Sequence, residues 1–299
     1  MLRVGIVGLP GAGRSTLFSA LTGGHGPAGT VAIPDERLEA VARVEESAKL
    51  TPATLDVVDV PGAGPALLGN LRQVEALLGV VDGFSGTRDP ASDREALLLE
   101  MVVADRDHVE GRLERVRTQA KSGDPRLKEE VAELERILAQ LEGGRPLSEL
   151  AGPLPGGLEP LTTKPLVVIE NGAGGIDLKL EAELAELPQE EAAEFREGPS
   201  ALEAVLRQLF ETADLITFFT ASEKEARAWT LTRGETALDA AATIHTDIAR
   251  GFIRCEVVSW DRLAEAGTRA EAARRGFQRV EGRSYVVEDG DVLNVRFNV

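Results

Sequence analysis

Gly8-Leu9-Pro10-Gly11-Ala12-Gly13-Arg14-Ser15-Thr16 has the spacing G-x-x-x-x-G-K-[ST], with Arg14 where the pattern has lysine. Val4-Gly5-Ile6-Val7 ahead of it reads as a short buried strand, and Ser15 to Leu21 as the opening of a helix. A strand, a glycine-rich loop and a helix N-terminus make an anion site. The loop N–H groups converge, and the helix dipole adds partial positive charge. The spacing places Gly8, Pro10, Gly11, Ala12, Gly13, Arg14, Ser15 and Thr16 around the phosphates of a nucleotide, with the Ser15 hydroxyl on Mg²⁺. A glycine-rich turn without a ligand shares the glycines but has no need of the flanking strand and helix. Arginine at position 14 keeps the charge. It replaces a compact ammonium with a planar fork, which changes the geometry offered to a transferring phosphate.

Outward from this loop, the texture is that of an α/β chain. Thr54 to Val60, Leu77 to Asp82 and Lys164 to Glu170 read as further strands, with helical patterns between them. Apolar strands alternating with helices imply a parallel sheet covered on both faces. One segment departs from that rhythm. Between Asp93 and Glu142, Leu99, Val102, Val109, Leu113 and Val116 repeat at helical spacing, and Leu127, Val131, Leu134, Ile137 and Leu141 resume it. Lys121-Ser122-Gly123-Asp124-Pro125 breaks the run, which predicts an antiparallel helical hairpin turning at Gly123. Its Glu- and Arg-rich outer faces suit either a solvated surface or a docking arm. Leu147 to Glu159 reads as a linker, and 181–195 and 199–210 as helices. From Leu215 the chain turns to short strands: Leu215–Thr220, Phe252–Val258, Ser284–Val287 and Val292–Phe297, with Asp289-Gly290 as a turn between the last two.

The formal net charge of −17 opposes binding of nucleic acid through bulk charge, so no DNA contact is expected. From Asp214 to Val299 there are 12 basic and 14 acidic residues, so that segment is nearly neutral and better suited to approach RNA. Arg254, Arg262, Arg269, Arg274, Arg275, Arg279 and Arg283 either form a local basic surface there or pair with neighbouring acids. Cys255 is the sole cysteine and falls in a strand-like run, as a core residue rather than a nucleophile. His25, His108 and His245 make no metal-ligand pattern. With no signal peptide and no membrane-length apolar run, a cytoplasmic setting is expected.

The chain resembles the YchF, or Obg-like ATPase, family over nearly its whole length. The resemblance is carried by Ile216-Thr217-Phe218-Phe219-Thr220, Arg227-Ala228-Trp229-Thr230, Ile244-His245-Thr246-Asp247, Gly251-Phe252-Ile253-Arg254 and Asp289-Gly290-Asp291-Val292. These runs are similar to the family's TGS domain. Val103-Ala104-Asp105, Arg112-Leu113-Glu114 and Ala120 to Asp124 are similar to its coiled-coil insertion. The resemblance implies a P-loop NTPase G-domain fold with an inserted antiparallel helical hairpin, plus a small α+β TGS domain of ubiquitin-like β-grasp type. The corresponding boundaries are residues 1–90 with 158–212 for the G domain, 91–157 for the hairpin and linker, and 213–299 for the TGS domain.

The departures fall on functional positions. The family has lysine at the place of Arg14. Its longer switch I segment is reduced here to Gly23 to Ala28, and Thr30 aligns beyond it as a strand residue. Asp59-Val60-Pro61-Gly62 fits D-x-x-G, with Asp59 holding Mg²⁺ through water and the Gly62 N–H facing a γ-phosphate, or else forms an ordinary strand-ending turn. Ala63 stands where many G proteins place a catalytic glutamine. The family's N-x-x-E base motif retains Asn171, but Gly174 occupies its acidic position. Asn171 either touches a purine edge or serves a turn. Lys179 aligns with a lysine whose stem covers the base. Two functions follow from the resemblance. One is a purine-nucleotide-binding P-loop protein, with Mg²⁺ and ATP or GTP, of weak or absent hydrolysis and tied to ribosome regulation. The other is a non-catalytic adaptor binding RNA, ribosome or protein through the TGS domain and the helical arm.

Overall fold

The computed structural model describes residues 2–60, 62, 64–195 and 200–298. Pro61, Ala63, Pro199 and Val299 therefore lie outside the described residues. The chain opens with β1 (Leu2–Gly8), α1 (Arg14–Thr22), β2 (Ala28–Ile33), α2 (Glu36–Val44), β3 (Leu50–Thr51), β4 (Ala53–Val58) and α3 (Gly64–Asn70). It continues through β5 (Ala76–Asp82), the long helices α4 (Pro90–Ala120) and α5 (Pro125–Glu142), β6 (Leu166–Asn171), α6 (Leu178–Ala185), α7 (Gln189–Glu194) and α8 (Ala201–Thr212). The last part holds β7 (Leu215–Ala221), β8 (Ala226–Thr232), α9 (Ala237–Ile244), α10 (Thr246–Arg250), β9 (Phe252–Ser259), α11 (Trp260–Ala266), α12 (Arg269–Arg274), β10 (Arg279–Glu281) and β11 (Asp291–Phe297).

A five-stranded sheet has the order β2-β4-β1-β5-β6. β1 runs parallel to β5, from Val4 opposite Ala76 to Gly8 opposite Val80. β5 runs parallel to β6, from Leu77 opposite Leu166 to Asp82 opposite Asn171. This register brings Gly8, Asp82 and Asn171 to one edge, the carboxyl ends of the strands, where open α/β sheets bind ligands. β5 is buried along its full length, as a central parallel strand covered on both faces must be.

The chain divides into two compact units, Arg3–Gly29 with Val57–Val205, and Thr30–Asp56 with Leu206–Val299 and the first two residues. In the first, Val7, Leu67, Leu71, Leu77, Leu97, Met101 and Leu161 form a core under the sheet. The hairpin adds its own seam of Val109, Leu113, Val116, Leu134, Ile137 and Leu141. Its helices end on either side of the predicted turn. Asp124 caps α5 by accepting from the Arg126 N–H, and Pro125 stands in the first turn, where no N–H is needed. Arg112 to Glu130 (2.5 Å) and Arg117 to Glu135 (2.7 Å) join the two helices across their outer faces. At its root, fully buried Asp105 accepts from Arg72 Nη1 (2.6 Å), the Leu161 and Thr162 N–H groups and the Thr162 hydroxyl. Loss of Arg72 would strand that carboxylate, so the root is held by mutual need.

The second unit is built on a sheet of order β10-β9-β11-β7-β8-β3. Adjacent residues of β7 face opposite ways. Phe218 joins Leu231, Val257 and Leu293, while Phe219 joins Leu38, Val41, Ala53, Val258 and Leu263. Residues from α2 and β4 thus share a core with the C-terminal segment. Cys255 is buried in this unit, as expected of a core residue, and burial pushes its thiol up to about 12. The predicted strand over Ser284–Val287 does not form, beyond one bridge between Val286 and Thr236. Its backbone is used elsewhere: Arg283 O and Tyr285 O accept from Leu238 and Ala237 at the start of α9, and Val287 N donates to Glu235 O. β8, which has no counterpart among the strands expected from the sequence, pairs antiparallel with β7 along its whole length.

Candidate functional site

The loop between β1 and α1 is bound into the first unit on both sides. Gly13 caps α1 with φ of 108°, a conformation that side chains resist. A Cβ there would also collide with the Asn171 amide. Ala12 N donates to Leu9 O (3.1 Å), and Leu17 N to Gly13 O (2.9 Å). Ala12 therefore contributes shape, since its amide is already committed, and the first-turn amides of Arg14, Ser15 and Thr16 have no acceptor within the helix. A Cβ at Gly11 would meet nothing within 4 Å, so the loop is open on that side.

Ser15 and Asp59, read separately from the sequence as metal-site residues, are brought together. Ser15 Oγ donates to Asp59 Oδ2 at 2.7 Å. A hydroxyl beside a carboxylate, with phosphate oxygens to complete the set, is an all-oxygen donor group suited to Mg²⁺. Arg14 turns toward the D-x-x-G segment: Nη2 donates to Gly62 O (2.6 Å) and Nη1 to Val60 O (3.5 Å). The guanidinium thus braces the turn that carries Gly62. A lysine ammonium could not make this forked contact, and this role has no signal in the motif. Thr30 lies in β2 and donates to Asp56 Oδ1 (3.2 Å). Only residues 23–27 separate α1 from β2.

The loops after β5 and β6 complete the site. Asp82 ends β5 and accepts from Phe84 N and Ser85 N, both at 3.0 Å. Hydrogen bonds from Ser85 hold its carboxyl below the usual carboxylate range. Arg88, absent from the sequence-based site, reaches Pro10 O (3.2 Å) and pairs with Asp93 (3.7 Å), adding a second cation beside the phosphate loop. Asn171 is buried, with Nδ2 donating to Ala12 O (3.0 Å) and Oδ1 accepting from Leu178 N (3.3 Å). Its amide ties the β6–α6 connection to the phosphate loop. Lys179 stands in the first turn of α6, its side chain 85% exposed and 4.0 Å from Glu183.

The arginines of the C-terminal segment mostly have acidic partners. Arg262 pairs with Glu265, Arg269 with Glu45, Arg274 and Arg275 with Glu271, and Arg279 with Glu281. Arg254 and Arg283 have no partner among the described residues. The charges are locally neutralised, and pairing, one of the two readings left open by the sequence, describes them. No group of histidine, cysteine and acidic residues that could hold a metal occurs among the described residues. None of the helices described is long and apolar enough to cross a membrane.

A family model described as a 50S ribosome-binding GTPase matches residues 3–132, and the YchF-GTPase C-terminal model, described as a protein of unknown function, matches residues 215–298. The chain is 35% identical over 360 residues to the ribosome-binding ATPase YchF of Haemophilus ducreyi, covering 99% of both. It is 33% identical over 364 residues to the ribosome-binding ATPase YchF of Bacillus subtilis, covering 100% of both. Those alignments are longer than this 299-residue chain, so at least roughly 60 positions of each relative have no counterpart here. The structure of the Schizosaccharomyces pombe YchF GTPase superposes with a TM-score of 0.84 at 25% identity, covering 99% of this chain and 97% of that one.

Proposed function

Because this chain belongs to the YchF family, we propose that it is a purine-nucleotide-binding P-loop protein with weak or absent hydrolysis, acting in association with the ribosome. The observation that carries the binding is the meeting of the phosphate loop, Ser15 and Asp59 at the carboxyl edge of the sheet. The first-turn amides and Arg88 suit phosphate, and Ser15 with Asp59 suits Mg²⁺, which neutralises phosphate charge when bound. Weak turnover is supported by the engagement of Arg14 with Gly62 and Val60 and by the short α1–β2 connection, which leaves no threonine in place of switch I. Phosphoryl transfer depends on positioned charge, and here the positioning groups are displaced or missing. The ribosome is inferred from the relatives, which are ribosome-binding ATPases. We assign the contact to the C-terminal segment as a TGS-type domain, with the hairpin as a second surface. The domain boundaries given by the resemblance are proposed with it.

Calorimetry with ATP, GTP, ADP and GDP in the presence of Mg²⁺ tests the binding. Heat and a raised melting temperature are expected at millimolar ligand. Absence of both with all four ligands would overturn the reading and favour the adaptor. Phosphate release should be slow in the native protein and remain slow in Arg14→Lys, since restoring the lysine alone does not rebuild the missing segment. Co-sedimentation of the full chain with ribosomes across a salt series tests the partner. The full chain is needed because Leu38, Val41 and Ala53 are part of the core of the C-terminal unit.

A further inference from the structure

Glu170 is the penultimate residue of β6, next to Asn171, and its side chain runs between two glycines. A Cβ at Gly83 would lie 2.7 Å from Glu170 Cγ and 2.8 Å from Oε1, and a Cβ at Gly174 would collide with Oε1. A side chain at either glycine would need the Glu170 side chain to move aside, so the slot as it stands is fitted to that carboxylate. Glu170 is half-buried, and among the described residues its oxygens have no hydrogen-bond or ion-pair partner. A carboxylate in this position is an acceptor without a donor. It stands on the loop that Asn171 fastens to Ala12 of the phosphate loop. With phosphates at the N-terminus of α1 and a metal beside Ser15 and Asp59, the part of the carboxyl edge left for a base would be the ends of β5 and β6. There a free carboxylate repels phosphate and accepts from N–H groups.

We infer that Glu170, seated between Gly83 and Gly174, reads the amino-bearing edge of the purine. This inference rests on the nucleotide-binding reading above and adds the residue that sets base preference. The acidic group that Gly174 lacks is delivered from the strand, on the other side of the same slot. Guanine offers an amino group beside a ring N–H, so a carboxylate can accept two bonds from it, whereas adenine offers its amino group alone.

The test is calorimetry on the full chain with Mg²⁺, using GTP against ITP, which lacks the 2-amino group, and ATP against purine riboside triphosphate, which lacks the 6-amino group. Inorganic tripolyphosphate reports the phosphate site alone. A hydrogen bond to a charged acceptor predicts a loss of roughly ten-fold or more in affinity on removing the amino group, larger for the GTP pair. In Glu170→Ala and the near-isosteric Glu170→Gln that gap should close to about two-fold, while tripolyphosphate binding is not weakened. The double variant Glu170→Ala/Gly174→Glu, which returns a carboxylate to the slot from its other wall, should reopen the gap. Equal binding of amino and des-amino nucleotides by the native protein, or a gap that persists in both single variants, overturns the role of Glu170 and leaves the nucleotide site standing. If neither nucleotides nor tripolyphosphate bind, the nucleotide reading fails and this inference with it.

Discussion

The proposed phosphate end and the proposed base end of the site depart from the family pattern in different ways. At the phosphate end the charge is kept at its position and redirected. Arg14 occupies the lysine place but spends its guanidinium on Gly62 O and Val60 O. At the base end the acidic position is a glycine, and a carboxylate enters the same space from Glu170, four residues earlier. Binding of phosphate rests largely on backbone amides, so it tolerates a change of side chain so long as the glycines keep the loop's course. Reading of a base rests on a side-chain atom at a fixed place, so a lost residue has to be replaced in space, though it can come from elsewhere in the chain.

The largest effect should come from Gly13→Ala, which attacks the backbone of the phosphate end. The new Cβ meets φ of 108° and the Asn171 amide together. Strain of this kind costs about 1–3 kcal/mol, and relieving it means moving the loop. Affinity for ATP, GTP and tripolyphosphate is expected to fall by about 100-fold or more, with a lower melting temperature by circular dichroism. Unchanged tripolyphosphate binding would show that the phosphate end does not depend on this backbone.

How much of this was legible in the sequence follows the same division. The loop was readable because its glycines answer to backbone conformation and stand at fixed spacing. The hairpin was readable because its apolar residues repeat over four turns on each side of Gly123-Asp124-Pro125. Ser15 and Asp59 were each readable from a motif, but their 2.7 Å contact needed the fold. Glu170 was not readable: it looks like the last residue of a strand, and what distinguishes it is the pair of glycines that the strand register and the loop bring beside it. Arg88 was missed for a similar reason, since a loop arginine has no periodicity and its acceptor is a carbonyl 78 residues away. The false strand at Ser284–Val287 came from β-branched residues whose backbone groups serve the start of α9 instead, a tertiary choice that propensity does not encode.

A smaller and more selective effect is expected from Asn171→Ala, which cuts the tie between the two ends. It leaves Ala12 O and Leu178 N without their buried partner, at a cost of about 1–3 kcal/mol. Affinities for ATP and GTP should fall together, because both bonds go to backbone and neither depends on the base. Calorimetry with the two nucleotides checks this. A changed ATP-to-GTP ratio would show that Asn171 itself reads the purine and would weaken the contrast between a backbone-defined and a side-chain-defined end.

The smallest effect belongs to Lys179→Ala, and it decides to which end Lys179 belongs. Its side chain is 85% exposed and its contact with Glu183 is long, at 4.0 Å. Exposed pairs of that kind contribute about 0–1 kcal/mol, and lysine preceding glutamate is the weaker order on a helix. Stability should therefore be unchanged within about 0.5 kcal/mol by thermal melt. A methylene stem lying over a base shields part of an apolar face while its ammonium stays in water. Losing that cover should lower affinity for ATP and GTP by a few-fold, on the order of one or two buried methylenes. Tripolyphosphate has no base to cover, so its affinity should not move. An equal loss for tripolyphosphate and nucleotides would instead make Lys179 a charge acting on phosphate, and the phosphate end would then extend beyond the loop to α6.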